Sequence, residues 1–550
     1  MKKRNGMCPL CYLKTITEAK KGKNNNTPVL YNNVPYNNGL AKTPPMGWSS
    51  WNTFQEHINQ DVVLEIAGVL KNWGLVDAGY VYLNIDDCWE AKERNIRGEL
   101  ESDYTTFSMG MEGLVKKVNE LGIKLGIYSS NGTLTCQDFP ATLGFEYKDA
   151  YTFAKWGIEY WKLDYCHHVT YTRYAPLVAG ISVAEAGAVP EKIYTCKDGQ
   201  CSGYARVFKS NFITKHNKHN NQTMKYHVSG LDGGMGAVEY NIPAVKDGEY
   251  IVTIYTHEVY PYEKFLGISV NNEELYTVKI PANIRWNEYY TQKPVRLKKG
   301  DNKIKLFNPV FNPATSDMLQ YQYVGRCIKE ATADYAKDSG KEEKKIMFSL
   351  CEWGAGKPHL WGASAGNLWR TTGDIEAKWK SVMGLYEHNV ELYEYAGPGG
   401  WNDPDMLEVG NGELTYDENI AHFALWCMMA APLILGNDVR KMTSEVLEII
   451  TNKHLIDINQ DLLGKQAKRL VKGDVDILVK PLSEGTAICI LNKQTSQKPY
   501  SLDEKMLHAG KYINYAPKET ALDALSGSRT DIKTVFSGNL APHSVKVFVI

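Results

Sequence analysis

The sequence predicts an α/β chain: a (β/α)8 barrel interrupted by a β-sandwich and followed by an antiparallel β-domain. Three observations carry this. Short β-rich runs alternate with stretches of helical spacing, which is the pattern of a parallel sheet. The alternation comes in two blocks of four strand–helix units each, and eight units is the number that closes a barrel. Between the blocks, and again towards residue 550, the texture changes to short alternating strands split by Gly, Asn and Pro turns, as antiparallel sheets require.

Taken in order, residues 1–42 are Lys- and Asn-rich without a period and are expected to form a tail. The run Thr43-Pro44-Pro45 closes it and announces the first strand. First-block strands are predicted at Met46–Trp51, Tyr80–Asp86, Lys124–Ser129 and Tyr160–Asp164, with helical spacing at Val62–Trp73, Leu114–Leu121 and Tyr147–Trp156. The second block opens near residue 321 with the helical YQYVGRCIKEATADYAKD. Its strands are predicted at Ile346–Cys351, Leu368–Thr372, Glu394–Gly397 and Pro432–Leu435, separated by helices such as Lys378–Asn389 and Asn419–Ala430. The barrel therefore takes residues 43–171 and 321–465. Runs such as GEYIVTIYTH and FLGISVNNEEL place the sandwich at 172–320, and DILVKPL, AICILNK and SVKVFVI place the last β-domain at 466–550.

Composition narrows the chemistry. The chain has 550 residues, enough for about three domains, and at 43% hydrophobic and 23% charged its composition is that of a globular protein. With 62 basic and 63 acidic side chains the net charge is −1, so no field draws nucleic acid or an anionic membrane, and a neutral ligand is expected. The 34 Tyr and 13 Trp supply flat amphipathic faces that suit sugar rings. No stretch reaches the ~18 apolar residues of a membrane span. The start has the basic residues of a signal peptide but only MCPLCYL where an apolar core should run, which as written implies the cytoplasm; a different start would allow export or the cell surface. Eleven Cys are too few for a disulfide scaffold, and the Cys8–Cys11 CxxC has no second pair to complete a zinc site.

In a (β/α)8 barrel the active site forms where the strands end, so polar residues just after each apolar run are the candidates. They are Trp48 after strand 1, Asp86 and Asp87 after strand 2, Tyr128 on strand 3, Lys162 and Asp164 on strand 4, and Cys351, Glu352 and Trp353 after strand 5. Strand 6 supplies Arg370 and Asp374, and the loop after strand 7 supplies Asp405 and Met406 within WNDPDM. A single Asp at a strand end more often caps a helix, but here carboxylates crowd one rim. There is no HExxH, no Cys/His ligand spacing and no phosphate-cradling glycine loop, so no metal and no cofactor is expected. Glycoside hydrolysis is the chemistry that needs two carboxyl groups and nothing more.

The words TPPMGWSSW, LNIDDCW, KLGIYS, YWKLDYC, SLCEWG, NLWRTTGDI and GGWNDPDMLEVGN closely resemble glycoside hydrolase family 27, the α-galactosidases and α-N-acetylgalactosaminidases. The resemblance covers about 43–171 and 340–470 in the family's order. It implies a retaining, exo-acting α-galactosidase with Asp164 as nucleophile and Asp374 as general acid/base. It also implies that Asp86 and Asp87 grip the sugar's 4- and 6-hydroxyls, with Trp48 stacking under the ring and Asp405 and Met406 lining the same pocket. Lys162, two residues before Asp164 on one strand face, is expected to hold that carboxylate ionised. Asp374 must be protonated to act as acid, and Arg370 nearby opposes that.

Glu352 and Trp353 stand where N-acetylgalactosaminidases carry small residues, which favours galactose over α-N-acetylgalactosamine; a β-L-arabinopyranosidase of the same family is a further alternative, and a non-catalytic sugar-binding protein is disfavoured by the intact Asp pair. Cys136 and Cys166 match a pair that is disulfide-bonded in relatives, whereas Cys88 lacks its partner. The 172–320 stretch resembles a carbohydrate-binding module, which implies a second glycan there, with Trp286, Tyr289, Tyr290 and Asn308 as its candidate contacts. The oligomeric state is not encoded.

Overall fold

The computed structural model describes residues 34–550 other than 186, 216–222, 258–263, 273, 281–285, 292–293, 311–312, 510–511 and 514–517. Cys8 and Cys11, with most of the expected tail, lie outside the described residues. The described chain divides into two compact units, 170–319 and 35–169 with 320–550.

The second unit holds eight parallel strands: β1 (Met46–Ser49), β2 (Tyr82–Asn84), β3 (Lys124–Ser130), β4 (Tyr160–Asp164), β5 (Met347–Leu350), β6 (Leu368–Arg370), β7 (Trp401–Asp403) and β8 (Leu433–Leu435). They run in the order β7-β6-β5-β4-β3-β2-β1-β8, and a parallel bridge from Leu407 to Leu435 joins the two ends, so the sheet closes as a barrel. β2, β6, β7 and β8 are buried along their whole length. Closure covers both faces of a parallel sheet, which is why these strands read as apolar runs rather than alternating ones. The interior leaves little room: a Cβ on Gly126 would stand 1.9 Å from the Asn84 side-chain oxygen.

Helices follow most strands. In α1 (Gln60–Asn72) the Asn59 side chain accepts the Val62 N–H at 3.0 Å, and Gly157 at φ 85° ends α3 (Glu146–Trp156), which follows α2 (Gly110–Asn119). After α4 (Pro313–Ser339) and α5 (Trp379–Asn389) comes α6 (Tyr416–Met428), which opens on a Thr415/Glu418 capping box. Two expectations are corrected. The seventh strand is Trp401–Asp403 and not Glu394–Gly397, because Gly397-Pro398-Gly399-Gly400 folds into a turn closed from the Gly397 N–H to the Gly400 carbonyl at 2.9 Å. Between β5 and β6 no α-helix forms; Gly354, Gly356, Pro358 and Gly362 break the run into short 3-10 turns at Pro358–Leu360 and Gly362–Ser364.

The unit 170–319 consists of two antiparallel sheets. One runs in the order Glu274–Ile280, Lys264–Val270, Gly300–Phe307, Gly236–Ala244, Gln200–Gly203; the other Trp286–Tyr290, Gly248–His257, Leu177–Glu185, Thr223–Ser229, Arg206–Lys215. Val178, Ile181, Val252 and Ile254 from one meet Val238, Ile242, Ile268 and Ile304 from the other in a single core, so the unit is a sandwich. Asn308 is fully buried, its amide donating to the Thr172 carbonyl at 2.9 Å and its oxygen accepting the Val310 N–H at 2.8 Å, so it stitches the backbone instead of facing a ligand. Tyr289 packs against the core, Trp286 against Ala179, Ile193, Met224 and Tyr255, and Tyr290 is 63% exposed.

From Lys468 the chain forms a six-stranded antiparallel sheet and a two-stranded one, with Ile477, Ile488, Leu507 and Phe548 in their shared core. Lys480 on this sheet is fully buried, and its ammonium donates to the Cys427 carbonyl of α6 at 3.0 Å. Burial lowers it to about 7. Unfolding therefore takes up a proton between about pH 7 and the ordinary lysine value near 10.4, and this penalty on the fold is complete below pH 7. Lys480→Met is expected to stabilise the protein by about 1–3 kcal/mol at pH 6, with the gain shrinking towards pH 10; thermal melting of both proteins across that range is the check.

Candidate active site

The strand ends bring the titratable groups together on one rim. On β4, Lys162 and Asp164 share a face because strand side chains alternate. The Lys162 ammonium does not reach for Asp164: it pairs with Asp86 Oδ2 at 2.8 Å, just past the end of the neighbouring β2. Asp164 is held from two other sides. The Tyr128 hydroxyl of β3 donates to its Oδ2 at 3.1 Å, and the Tyr165 N–H donates to its Oδ1 at 2.9 Å. Burial raises the Asp164 carboxyl, and the nearby Lys162 charge offsets this only in part. The expected pull of Lys162 towards ionised Asp164 is present, but burial outweighs it and the ammonium itself pairs with Asp86.

Across the rim, Arg370 at the end of β6 is buried and shared between two carboxylates. One guanidinium nitrogen lies 3.0 Å from Asp405 Oδ1 and the other 2.9 Å from Asp374 Oδ1. The Asp374 side chain is 73% exposed. Partial burial pushes its carboxyl up, but the Arg370 charge and hydrogen bond outweigh this and hold it below the usual carboxylate range. Cys351, at the end of β5, puts its sulfur 3.6 Å from the Arg370 guanidinium. Asp405, at φ 93°, also accepts the Ile375 N–H at 2.9 Å, which ties the β7 loop to the segment bearing Asp374.

Asp86, Lys162, Arg370, Asp405 and Met406 line one cavity in the mouth of the barrel, together with Asp403 and Ser349. Asp403, which the sequence places on the rim within WNDPDM without a role, lines the same cavity and is raised to about 6 by burial. It pairs in register with Arg370 of the neighbouring strand. Asp87 is also raised to about 6 by burial, and its carboxylate accepts the Cys88 N–H at 2.8 Å and the Gln137 N–H at 2.9 Å.

Two expected contacts sit differently. Trp48 is fully buried, its indole N–H on the Asn437 carbonyl at 2.8 Å and its ring against Phe54. Glu352 is fully buried too: its carboxylate accepts the Gly356 N–H at 2.5 Å and shapes the turn after β5. Trp353, at φ 56°, is the residue of that pair which reaches solvent, at 36% exposure, with its ring edge-on to Tyr165. Cys136 and Cys166 form a disulfide and Cys88 is free. Asp164 with these two cysteines is the one His/Cys/Asp/Glu grouping, among the described residues, tight enough for a cation; sulfurs bonded to each other offer no thiolate ligand.

This chain has relatives. A family model described as Alpha galactosidase A (Melibiase_2) matches residues 43–226 and 337–461. The chain is similar to Alpha-galactosidase 2 of Arabidopsis thaliana, at 29% identity over 94% of this chain and 91% of that protein. It is also similar to an Alpha-galactosidase of Cyamopsis tetragonoloba, at 30% identity over 84% of this chain and 75% of that protein. The crystal structure of alpha-galactosidase I from Mortierella vinacea shares the fold, with a TM-score of 0.62 at 24% identity over 93% of this chain and 98% of that one. The matched segments carry all eight strands and every carboxylate of the rim, and on that ground the chain belongs to the Alpha galactosidase A family, Melibiase_2.

Proposed function

We propose that this chain hydrolyses terminal α-linked galactose with retention of configuration, Asp164 acting as nucleophile and Asp374 as general acid/base. The supporting observation is the contrast between two carboxyls on one rim. Asp164 is buried and clamped through both oxygens, as a nucleophile that must hold one position requires. Asp374 is open to solvent, as a group that exchanges protons with a leaving hydroxyl and with water requires.

In the first step Asp164 attacks the anomeric carbon, the glycosidic C–O bond breaks, and the Asp374 proton goes to the leaving oxygen. In the second, Asp374 takes a proton from water, which opens the glycosyl ester and restores Asp164. With Arg370 against it, Asp374 rests in the ionised form, the form needed for the second step. Asp86, Asp87 and Lys162 form the hydrogen-bonding wall that reads the axial 4-hydroxyl and the 6-hydroxyl of galactose. A sugar lacking either leaves buried polar groups unpaired, which is where such sites discriminate most. Trp353 restricts room for a 2-acetamido group. A second glycan on the sandwich would contact Tyr290, whose ring is exposed.

A panel of nitrophenyl glycosides tests the assignment. The α-galactoside is expected to have the highest kcat/KM, with the α-N-acetylgalactosaminide and the β-L-arabinopyranoside lower by about 100-fold or more. Preference for either of the others would overturn the galactose reading while leaving the carboxylate roles intact.

A further inference from the structure

Next to Asp164 lies a pair of rings that the steps above do not use. The His168 imidazole lies flat on the Tyr165 ring, with centroids 3.7 Å apart and planes within 13°. Tyr165 is almost closed to solvent and meets Trp353 edge-on at 5.8 Å, whereas His168 is exposed. The stack therefore presents one open aromatic face, that of His168.

The segment carrying it is pinned to the loop after β3. The Cys136–Cys166 disulfide crosses between the two, and a backbone bridge joins Gly132 to His168. His167 Nε2 lies 3.0 Å from Asp138 Oδ1. The approach is close enough that a Cβ on Gly132 would stand 2.1 Å from the Cys166 carbonyl oxygen. An exposed ring held this firmly has already given up the freedom that stacking on a ligand would otherwise cost.

We propose that the stacked His168–Tyr165 pair forms the subsite for the leaving sugar of an oligosaccharide, an inference that rests on the reaction proposed above. In the reaction proposed above the anomeric carbon lies between Asp164 and Asp374, so the leaving sugar stands on the outer side of that pair. There the stack stands on the segment that follows the nucleophile, and Trp353 on the neighbouring strand end extends it. Burial against Tyr165 keeps the His168 imidazole below its ordinary value, so at neutral pH it offers an uncharged face to the C–H side of a sugar.

α-Galactosyl fluoride, whose leaving group is a single atom, and raffinose, whose leaving group is a disaccharide, separate this role from the chemistry. His168→Ala is expected to lower kcat/KM on raffinose about five- to tenfold, the range of one aromatic contact. On the fluoride the change is expected to stay within about twofold, and His168→Phe should restore the raffinose value. Equal losses on both substrates, or no loss on raffinose, would overturn the subsite. Failure of the unaltered protein to cleave the fluoride would overturn the reaction itself, and the subsite with it.

Discussion

Asp164→Ala is expected to abolish hydrolysis of nitrophenyl α-galactoside, with kcat falling by about 10⁴-fold or more, as when a covalent nucleophile is removed. The magnitude follows from position as well as chemistry. Asp164 is buried and its two oxygens are committed to the Tyr128 hydroxyl and the Tyr165 N–H, so the alanine leaves no neighbouring carboxylate with the same placement. Asp86 is occupied by Lys162, and Asp405 by Arg370 and the Ile375 N–H. Truncation leaves two buried donors without their acceptor, at about 1–3 kcal/mol each. Circular dichroism and thermal melting should therefore accompany the assay, with Asp164→Asn as the milder second variant. Near-normal turnover in a folded variant would remove Asp164 from the mechanism.

Asp374→Ala has the second largest expected effect, and its size depends on the substrate. The first step needs the Asp374 proton only when the leaving oxygen is a poor one. A natural disaccharide should lose about 10³-fold or more, and a dinitrophenyl galactoside far less. Azide, which needs no general base, should restore turnover of the dinitrophenyl substrate and give a galactosyl azide. Equal losses on both substrates would argue against an acid role. The pH profile carries a related signature. Asp164 is raised and Asp374 lowered, so the form with Asp164 ionised and Asp374 protonated is the minority form. The profile should be bell-shaped, with both limbs belonging to the pair: kcat/KM falls on the acid side as the pair takes up a second proton and on the alkaline side as it loses its remaining one.

The barrel was legible because parallel strands buried on both faces announce themselves as β-rich runs, and seven of the eight were placed within about two residues of their observed ends. β2 was drawn too long, since Tyr80, Val81, Ile85 and Asp86 extend the run on either side of three paired residues. The seventh was misplaced because Leu392, Tyr393 and Tyr395 have the composition of a strand, while the Pro398 turn that rules one out lies just beyond them. Asp86, Lys162, Arg370, Asp405 and Met406, all named from the sequence, line one cavity, but their pairing was not legible. Nothing in the sequence says that Lys162 turns to Asp86 instead of Asp164, or that Glu352 folds inward to cap a turn while Trp353 turns out. These choices are made by register between strands far apart in the chain, and by a positive φ at Trp353 that no local pattern advertises.

The central claim is a covalent galactosyl ester on Asp164. Incubation with 5-fluoro-α-D-galactosyl fluoride, which slows the second step more than the first, followed by proteolysis and peptide mass mapping, tests it most directly. The account requires one 5-fluorogalactosyl increment per chain, on the peptide carrying Tyr160–Asp164 and absent from Asp164→Ala. Labelling of the Asp374 or Asp405 peptide, or turnover without a trapped ester and with inversion at the anomeric carbon, would contradict it.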